Sequence, residues 1–524
     1  MTGQAPHVAI IGAGIGGLSS ALRLAHAGAQ VTVFERHAHP GGKMRTTPST
    51  AGPVDAGPTV LTLKHVFDKL FQDTGSALCN HVTLRQEEIL ARHFWPDGTT
   101  LDLMADPAAS AENVSATFGP KVAEEFRAFS TRAATLFDAF DAPMMQATTP
   151  SLAKLGATVL RHPHLLALMD PLRSLSRSLS AQFSEPKLAQ LFGRYATYVG
   201  GIPDASPALL SLIWHAESQG VWHVEGGMQK LAQAIAARAT DLGAQFRYKS
   251  HVQRIEMQNG RPAAVETETD RTPIDAVLFN GDPRALSAGM LGRKPQKAVS
   301  PAATEPRSLS AFVHSFAAIP EGVDLAGHNV FFCADPADEF DALAARQMPR
   351  DATLYICAQD RFGGARPDGP ERFEIIMNAP PARDGSTLSP EDQERCHSAT
   401  LQRLARFGLH FTPRPPAESL TMPQNFAAMF PASNGSLYGR SPHGMMAAFQ
   451  RPTVRSRIPG LYLVGGGVHP GAGIPMATLC AAHAAEAIIT DLSLTSTSRQ
   501  VATPGGTSMA SPTMANAPSR SSAS

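Results

Sequence analysis

The residues best suited to chemistry fall in two glycine-rich clusters, one near each end of the chain. The first is VAIIGAGIGGL, Val8 to Leu18, in which Gly12, Gly14, Gly16 and Gly17 follow an apolar run. Gly12 permits a tight turn, Gly14 leaves the backbone open to a pyrophosphate, and Gly17 lets the following helix pack closely on the strand. A phosphate placed there meets the unpaired N–H groups and the positive end of that helix. The expected ligand is a dinucleotide. Glu35 closes the next apolar run, Val31 to Phe34, at the distance where a carboxylate hydrogen-bonds the ribose hydroxyls of an adenosine and repels a 2′-phosphate. Arg36 follows, then HPGGKMRT from His39 to Thr46, where Gly41 and Gly42 make a flexible loop beside two cations, Lys43 and Arg45. Such a loop suits either the negative pyrophosphate or the flat edge of a flavin. The small-residue turn Asp55-Ala56-Gly57-Pro58, with Thr59 after it, lets a planar ring lie against backbone. Each of these two fragments taken alone also reads as a solvated loop.

The second cluster is GLYLVGGGVHPGAGIP, Gly460 to Pro475. The strand Leu461 to Val464 delivers Gly465-Gly466-Gly467 to a tight turn, and a helix starts near Pro475 and Met476, where the missing proline N–H would have been unpaired in any case. A helix N-terminus aimed at a flavin stabilises the negative charge of the reduced ring without a charged side chain. A nicotinamide enzyme also fits the first cluster, but two clusters favour a flavin held at both ends. His469 beside the turn suits a hydrogen bond to backbone that orients the loop, with acid–base work as the weaker alternative.

The elements around these clusters set the frame. A chain of 524 residues exceeds one core, so two or three domains are expected. Lys plus Arg equals Asp plus Glu, 45 each, which gives no basic field for nucleic acid, and nucleic acid is not an expected partner. Five cysteines without CxxC or ligand spacing (Cys79, Cys333, Cys357, Cys396 and Cys480) argue against a disulfide framework or a metal site and suit the cytoplasm. No apolar run reaches the roughly 20 residues that span a bilayer, and no basic region precedes the first apolar stretch. After a helix at Val66 to Phe71, a hairpin turn at Pro96-Asp97-Gly98 and a helix at Val122 to Phe140, the segment Val159 to Leu179 sets leucines beside Arg161, Arg173 and Arg177. It reads equally as a helix lying in a bilayer interface or as an amphipathic helix packed on its own domain and broken by Pro163 and Pro171. Met228 to Leu242 is an expected helix leading back to the nucleotide sheet. Strands are expected at Leu309 to Phe316, Val330 to Cys333, Leu354 to Ala358 and Phe373 to Met377. From Asp491 to Ser524 the composition turns to Ser, Thr, Ala, Pro and Gly, and a disordered tail is expected.

VAIIGAGIGGL, FERHAHPGGKMRT and DAGPTVLT together resemble the N-terminal part of the bacterial-type phytoene desaturases, the FAD-dependent carotenoid desaturases of the carotenoid and retinoid oxidoreductase group. The HPGAG core, His469 to Gly473, is similar to that family's C-terminal signature, with departures at Val468 and Cys480. RYATYVGGIPDASP, GVWHVEGGMQKLAQAI and VLFNGDP carry the resemblance between, up to about residue 490. GGIPDASP, VWHVEGGM and IPMATL most resemble the branch of phototrophic bacteria called 1-hydroxycarotenoid 3,4-desaturase or methoxyneurosporene dehydrogenase.

The resemblance implies an α/β fold of the amine-oxidase and carotenoid-desaturase type, with a discontinuous Rossmann-like FAD-binding domain (1–90, 221–305 and 455–490) and an inserted α+β substrate domain (91–220 and 306–454). It implies FAD as cofactor. Expected contacts, beyond the first cluster, are the backbone at Val252 for the adenine and Gly466, Gly467, Gly473, Ile474 and Met476 for the flavin. The implied reaction passes a hydride from an allylic carbon of a polyene to flavin N5, with loss of a proton from the neighbouring carbon, so no side-chain base is obligatory. The implied partners are an acyclic carotenoid, membrane lipid in peripheral contact at the inner membrane, and oxygen or a quinone as electron acceptor. Met429, Phe430, Met445, Met446 and Phe449 suit an apolar tunnel and also suit ordinary core. Tyr198, His215, His223 and Glu225 are polar residues suited to a tertiary hydroxyl. Alternatives are desaturation of a carotene without a hydroxyl, such as phytoene, and a non-catalytic prenyl- or polyene-binding protein on the same scaffold.

Overall fold

Strands that are apolar on both faces build the first sheet. In order across the sheet they are Leu461–Leu463, Ala276–Phe279, His7–Ile11, Gln30–Phe34 and Gln245–Arg247, all parallel. Val8, Ala9 and Ile10 are fully buried, as central parallel strands covered by helices must be. Three helices pack together against this sheet: Ile15–His26 lies beside both Met228–Asp241 and Ile474–Asp491. The close packing follows from sequence, since the first helix presents Gly16, Gly17, Ala21 and Ala25 as buried positions. The computed structural model describes residues 5–383, 385 and 389–494. Of the tail expected from residue 491, residues 495–524 lie outside the described ones, while Asp491 still belongs to the last helix and accepts a hydrogen bond from Tyr462 Oη at 2.6 Å.

A second sheet has eight strands. Its order is His410–Thr412, Ser310–Glu321, Glu371–Ala379, Leu354–Ala358, His328–Phe331, Ile89–Phe94 and Thr100–Met104, with Leu420–Thr421 on Ser310–Glu321. Neighbours are antiparallel except His328–Phe331 against Ile89–Phe94. The strand Ile89–Phe94 runs across residue 90, where the sequence suggested a change of domain. Phe316, Phe331, Phe373 and Ile375 fill the core on one side of this sheet.

Helices from Pro107–Phe118 to Ile213–Ser218 form a block beside the second sheet. Within it the amphipathic stretch 159–179 is divided among three helices, Leu152–Arg161, His164–Met169 and Leu175–Gln182. Pro163 has no N–H to continue the first, and Asp170 takes a left-handed conformation at φ 47° that ends the second. Leu165, Met169, Leu175 and Leu179 are buried in the block, whereas Leu160, Leu166 and Leu172 face solvent. The helix Pro390–Arg406 was not anticipated, although Ser389 and Asp392 form a capping box at its start.

Candidate active site

The two glycine clusters meet around one asparagine. Asn280 Nδ2 donates to Gly12 O at 3.0 Å. A Cβ on Gly16 would stand 2.9 Å from Asn280 Oδ1 and 3.1 Å from Gly465 Cα, so the N-terminal turn and the C-terminal turn touch through backbone. A Cβ on Gly17 would come to 2.2 Å from Gly12 O, which fixes the helix directly behind the turn. The next loop docks on this pair, with Gly41 N donating to Ala13 O at 2.9 Å. A Cβ on Gly57 would lie 1.9 Å from Lys43 O, so the turn 55–58 approaches the Lys43 backbone as only glycine allows.

Glu35 is buried, and both of its oxygens take backbone N–H groups, Oε2 from Ala13 at 2.7 Å and Oε1 from His37 at 2.8 Å. An ionised carboxylate has about four lone-pair directions, which leaves room for further donors. In front of these loops lies a cavity of about 900 Å³, running from the Gly12 turn past Lys43, Arg45 and Thr59 to Met144, Met145 and Leu152. Every residue expected to contact the cofactor lines it except Gly17, which stands behind the turn. His469 is also outside the lining. It is buried, with Nε2 2.9 Å from Ala147 O, so it ties its loop to the helical block.

A family described as flavin containing amine oxidoreductase matches residues 15–489. The chain is 54% identical over 488 residues to the hydroxyneurosporene desaturase of Cereibacter sphaeroides, which spans 93% of this chain and 98% of that protein. It is 28% identical over 497 residues to the 1-hydroxycarotenoid 3,4-desaturase of a Flavobacterium species, across 91% of this chain and 98% of that one. The fold matches that of cyclohexylamine oxidase from Brevibacterium oxydans with a TM-score of 0.56 at 17% identity, over 94% of this chain and 100% of that one. The chain belongs to the flavin-containing amine oxidoreductases, among the bacterial carotenoid desaturases. It is therefore an FAD-dependent oxidoreductase, and the reading as a non-catalytic binding protein is set aside.

The cavity of this desaturase fits FAD on its own chemistry. The first helix begins at Gly14 with no side-chain cap, leaving its first N–H groups for a pyrophosphate, and Glu35 retains acceptor capacity for a ribose. At the other end Gly473 precedes the helix Ile474–Asp491, likewise without a side-chain cap, and Ile474 and Met476 line the cavity. Arg451 holds the turn that leads there: Nη1 donates to Gly466 O at 2.9 Å and Tyr438 O at 3.1 Å, and Nη2 to Arg440 O at 2.7 Å. Burial pushes its pKa down to about 10. Neither Asn280 nor Arg451 was singled out from sequence: Asn280 acts on a turn 268 residues away, and Arg451 bonds to backbone carbonyls of loops that no spacing pattern connects to it.

Lys43 and Arg45 reach toward the segment 421–437. Lys43 Nζ donates to Leu437 O and lies 5.6 Å from the Phe430 ring centre, and Arg45 Nη2 donates to Thr421 Oγ1 at 3.2 Å. Lys43 is partly buried, and that burial is the main cause that pushes its pKa down from 10.5 to about 8. Between those values the unfolded chain binds more protons than the folded one, so this group makes stability rise with pH through that window. Lys43→Met is accordingly expected to be more stable than the wild type near neutral pH, by on the order of 3 kcal/mol, with the gain fading as pH climbs from 8 toward 10.5. Urea unfolding of the cofactor-free proteins at pH 7 and pH 10 measures it.

The walls beyond the flavin loops are apolar. Met429, Phe430, Met445, Met446 and Phe449 all face the cavity, so the alternative of ordinary core does not describe them. Of the four polar residues read as hydroxyl partners, Tyr198 lines the cavity, and Arg194 Nη1 lies 3.3 Å from its hydroxyl. The other three do not line it. His215 packs on Phe137 with ring centres 5.1 Å apart, and Glu225 pairs with Arg85. His223 pairs with Glu87 and stacks on Phe362. The strand Trp222–Val224 pairs with Leu84–Gln86, and this directs His223 and Glu225 to a separate cavity of about 250 Å³.

Proposed function

We propose that this desaturase forms the C3–C4 double bond of acyclic 1-hydroxycarotenoids, such as 1-hydroxyneurosporene, while resting on the cytoplasmic face of the inner membrane. The observation that carries this reading is the continuity of one apolar cavity from the dinucleotide cradle to the leucine-bearing helices. The names of the two relatives support the substrate. Bound FAD supplies the two-electron acceptor, and oxygen or a quinone then takes the electrons. The substrate loses a hydride from one carbon and a proton from its neighbour, and the pair left behind becomes the new π bond.

The protein's share is alignment and a dry site. Met and Phe side chains adapt to a long flexible chain, and the apolar walls exclude water around the reacting carbons. The start of the helix at Ile474 lines the cavity and would supply positive potential to stabilise negative charge on a flavin held there. Holoenzyme supplied with 1-hydroxyneurosporene in liposomes tests the reading: NMR of the product should place the new double bond at C3–C4. A new bond elsewhere, or turnover of phytoene with none of the hydroxylated chain, overturns it.

Leu160, Leu166 and Leu172 support the membrane contact, with 83%, 54% and 96% of their surface exposed. Arg161 and Arg173 stand among them, suited to anionic headgroups. Leu152 and Leu155, on the same helix as Leu160, border the cavity, so a carotenoid leaving the bilayer meets the cavity at this surface. Among the described residues no helix is long and apolar enough to cross a membrane. The triple substitution Leu160→Glu, Leu166→Glu, Leu172→Glu is expected to weaken binding to anionic vesicles by at least about tenfold and to leave flavin content unchanged. Vesicle co-sedimentation and the flavin absorbance check the two parts.

A further inference from the structure

The strand Glu371–Ala379, ERFEIIMNA, carries a single carboxylate inside its apolar stretch. Glu374 is fully buried, lines the large cavity, and neither carboxyl oxygen has a hydrogen-bond partner in the protein. Its surroundings are otherwise engaged. The Thr59 hydroxyl, near enough to favour the ionised form slightly, is 2.9 Å from Tyr355 Oη, which in turn lies 2.7 Å from His328 Nδ1. Asp55 opposes ionisation and is held by Met228 N at 2.7 Å, and Arg45 favours ionisation but donates to Thr421. Burial outweighs the cation and pushes the carboxyl well above the usual carboxylate range, which favours the neutral acid, with one O–H donor and one carbonyl acceptor. As a neutral acid it is a poor acceptor for the proton lost in desaturation. A buried polar group with no partner calls for an explanation, and a bound ligand that completes it is one.

An alcohol on an otherwise apolar chain has the matching chemistry, one donor and one acceptor. We propose that Glu374 binds the tertiary hydroxyl of the substrate and thereby sets which bond of the polyene faces the flavin. The inference rests on the reading of the substrate as a 1-hydroxycarotenoid. In such a chain a single methylene separates the hydroxyl-bearing carbon from C3, so the anchor must stand near the cofactor and not at the far end of the cavity. Glu374 meets that condition, because the groups that bear on it, Arg45, Asp55 and Thr59, belong to the loops that approach the cofactor site. Tyr198 is less free for this task, since Arg194 already bonds its hydroxyl. A carotene without the hydroxyl leaves the carboxyl unpaired, which is how a site rejects it.

The test compares Glu374→Met, close in length but apolar, with Glu374→Gln, which keeps a donor and an acceptor. The first readout needs no turnover: the thermal shift of the holoenzyme with a short saturated tertiary alcohol against the hydrocarbon of the same skeleton. The second is the ratio of kcat/KM for 1-hydroxyneurosporene over neurosporene. The wild type should be stabilised more by the alcohol. The Met variant should lose that difference and drop the ratio on the order of 100-fold, with its flavin content and neurosporene turnover retained, and the Gln variant should stay within about tenfold of wild type. An unchanged ratio in the Met variant overturns the proposal, as does an equal loss for both substrates. If the Met variant does not fold, equal shifts of the wild type with alcohol and hydrocarbon overturn it. A wild type that prefers neurosporene instead defeats the substrate reading, whatever Glu374 does.

Discussion

Gly17→Ala protein is expected to purify without flavin. The added methyl would come to 2.2 Å from Gly12 O, far inside van der Waals contact, and the partner is backbone that cannot swing away as a side chain would. Relief requires the first helix to move off the turn. That movement breaks the contacts through Asn280, whose Nδ2 would itself be 2.8 Å from the new methyl. The uncapped N–H groups then no longer converge on the pyrophosphate position, so cofactor affinity falls rather than the reaction rate alone. Gly156→Ala is the matched control: nothing lies within 4 Å of its added methyl, it sits within the helix Leu152–Arg161, and the change should leave flavin content intact. The ratio of flavin to protein absorbance in the two purified variants decides the matter.

The largest loss of stability is expected from Asp282→Leu. Arg307 is almost wholly buried and directs its guanidinium at Asp282, with a salt bridge through Nη2 and a contact from Nη1 at 3.3 Å. Its remaining bonds, to Thr304 O and Ser433 O at 3.1 Å each, satisfy donors but do not neutralise the charge. Asp282 also caps the short helix Pro283–Ser287 by accepting from Arg284 N at 2.9 Å. Removing one partner of a buried pair typically costs about 3–5 kcal/mol, because the other charge is left without compensation. Urea unfolding should show a loss of that order, and Asp282→Leu/Arg307→Met should recover most of it. A single variant as stable as wild type would mean that the pair contributes little.

Much of the cofactor end was legible from sequence because its chemistry is local. Glycine spacing, the carboxylate at Glu35 and the proline after Gly473 each act within a few residues, and a strand, a turn and a helix suffice to orient them. Pro163 announced the break in the helical stretch for the same reason. What remained hidden depends on segments remote in the chain meeting in space. Asn280 keys the two glycine clusters together across hundreds of residues, Arg451 ties the second cluster to the loop at Tyr438 and Arg440, and no periodicity marks either. His215, His223 and Glu225 misled because nearness in sequence to a recognisable string does not say which way a side chain faces; strand pairing decided that for His223 and Glu225, and packing of its helix on Phe137 for His215. Glu374 did leave a sign, a carboxylate in the run FEIIM, where an apolar strand has no structural use for one.

The most direct test of the account is anaerobic reduction of the bound flavin. Purified holoenzyme in liposomes is mixed with 1-hydroxyneurosporene or with neurosporene, and the flavin band and carotenoid spectrum are followed together. Bleaching of the flavin and a longer-wavelength carotenoid are expected with the hydroxylated chain, and both on the order of 100-fold more slowly with neurosporene. Bleaching by neurosporene with none by its hydroxylated counterpart would contradict the account.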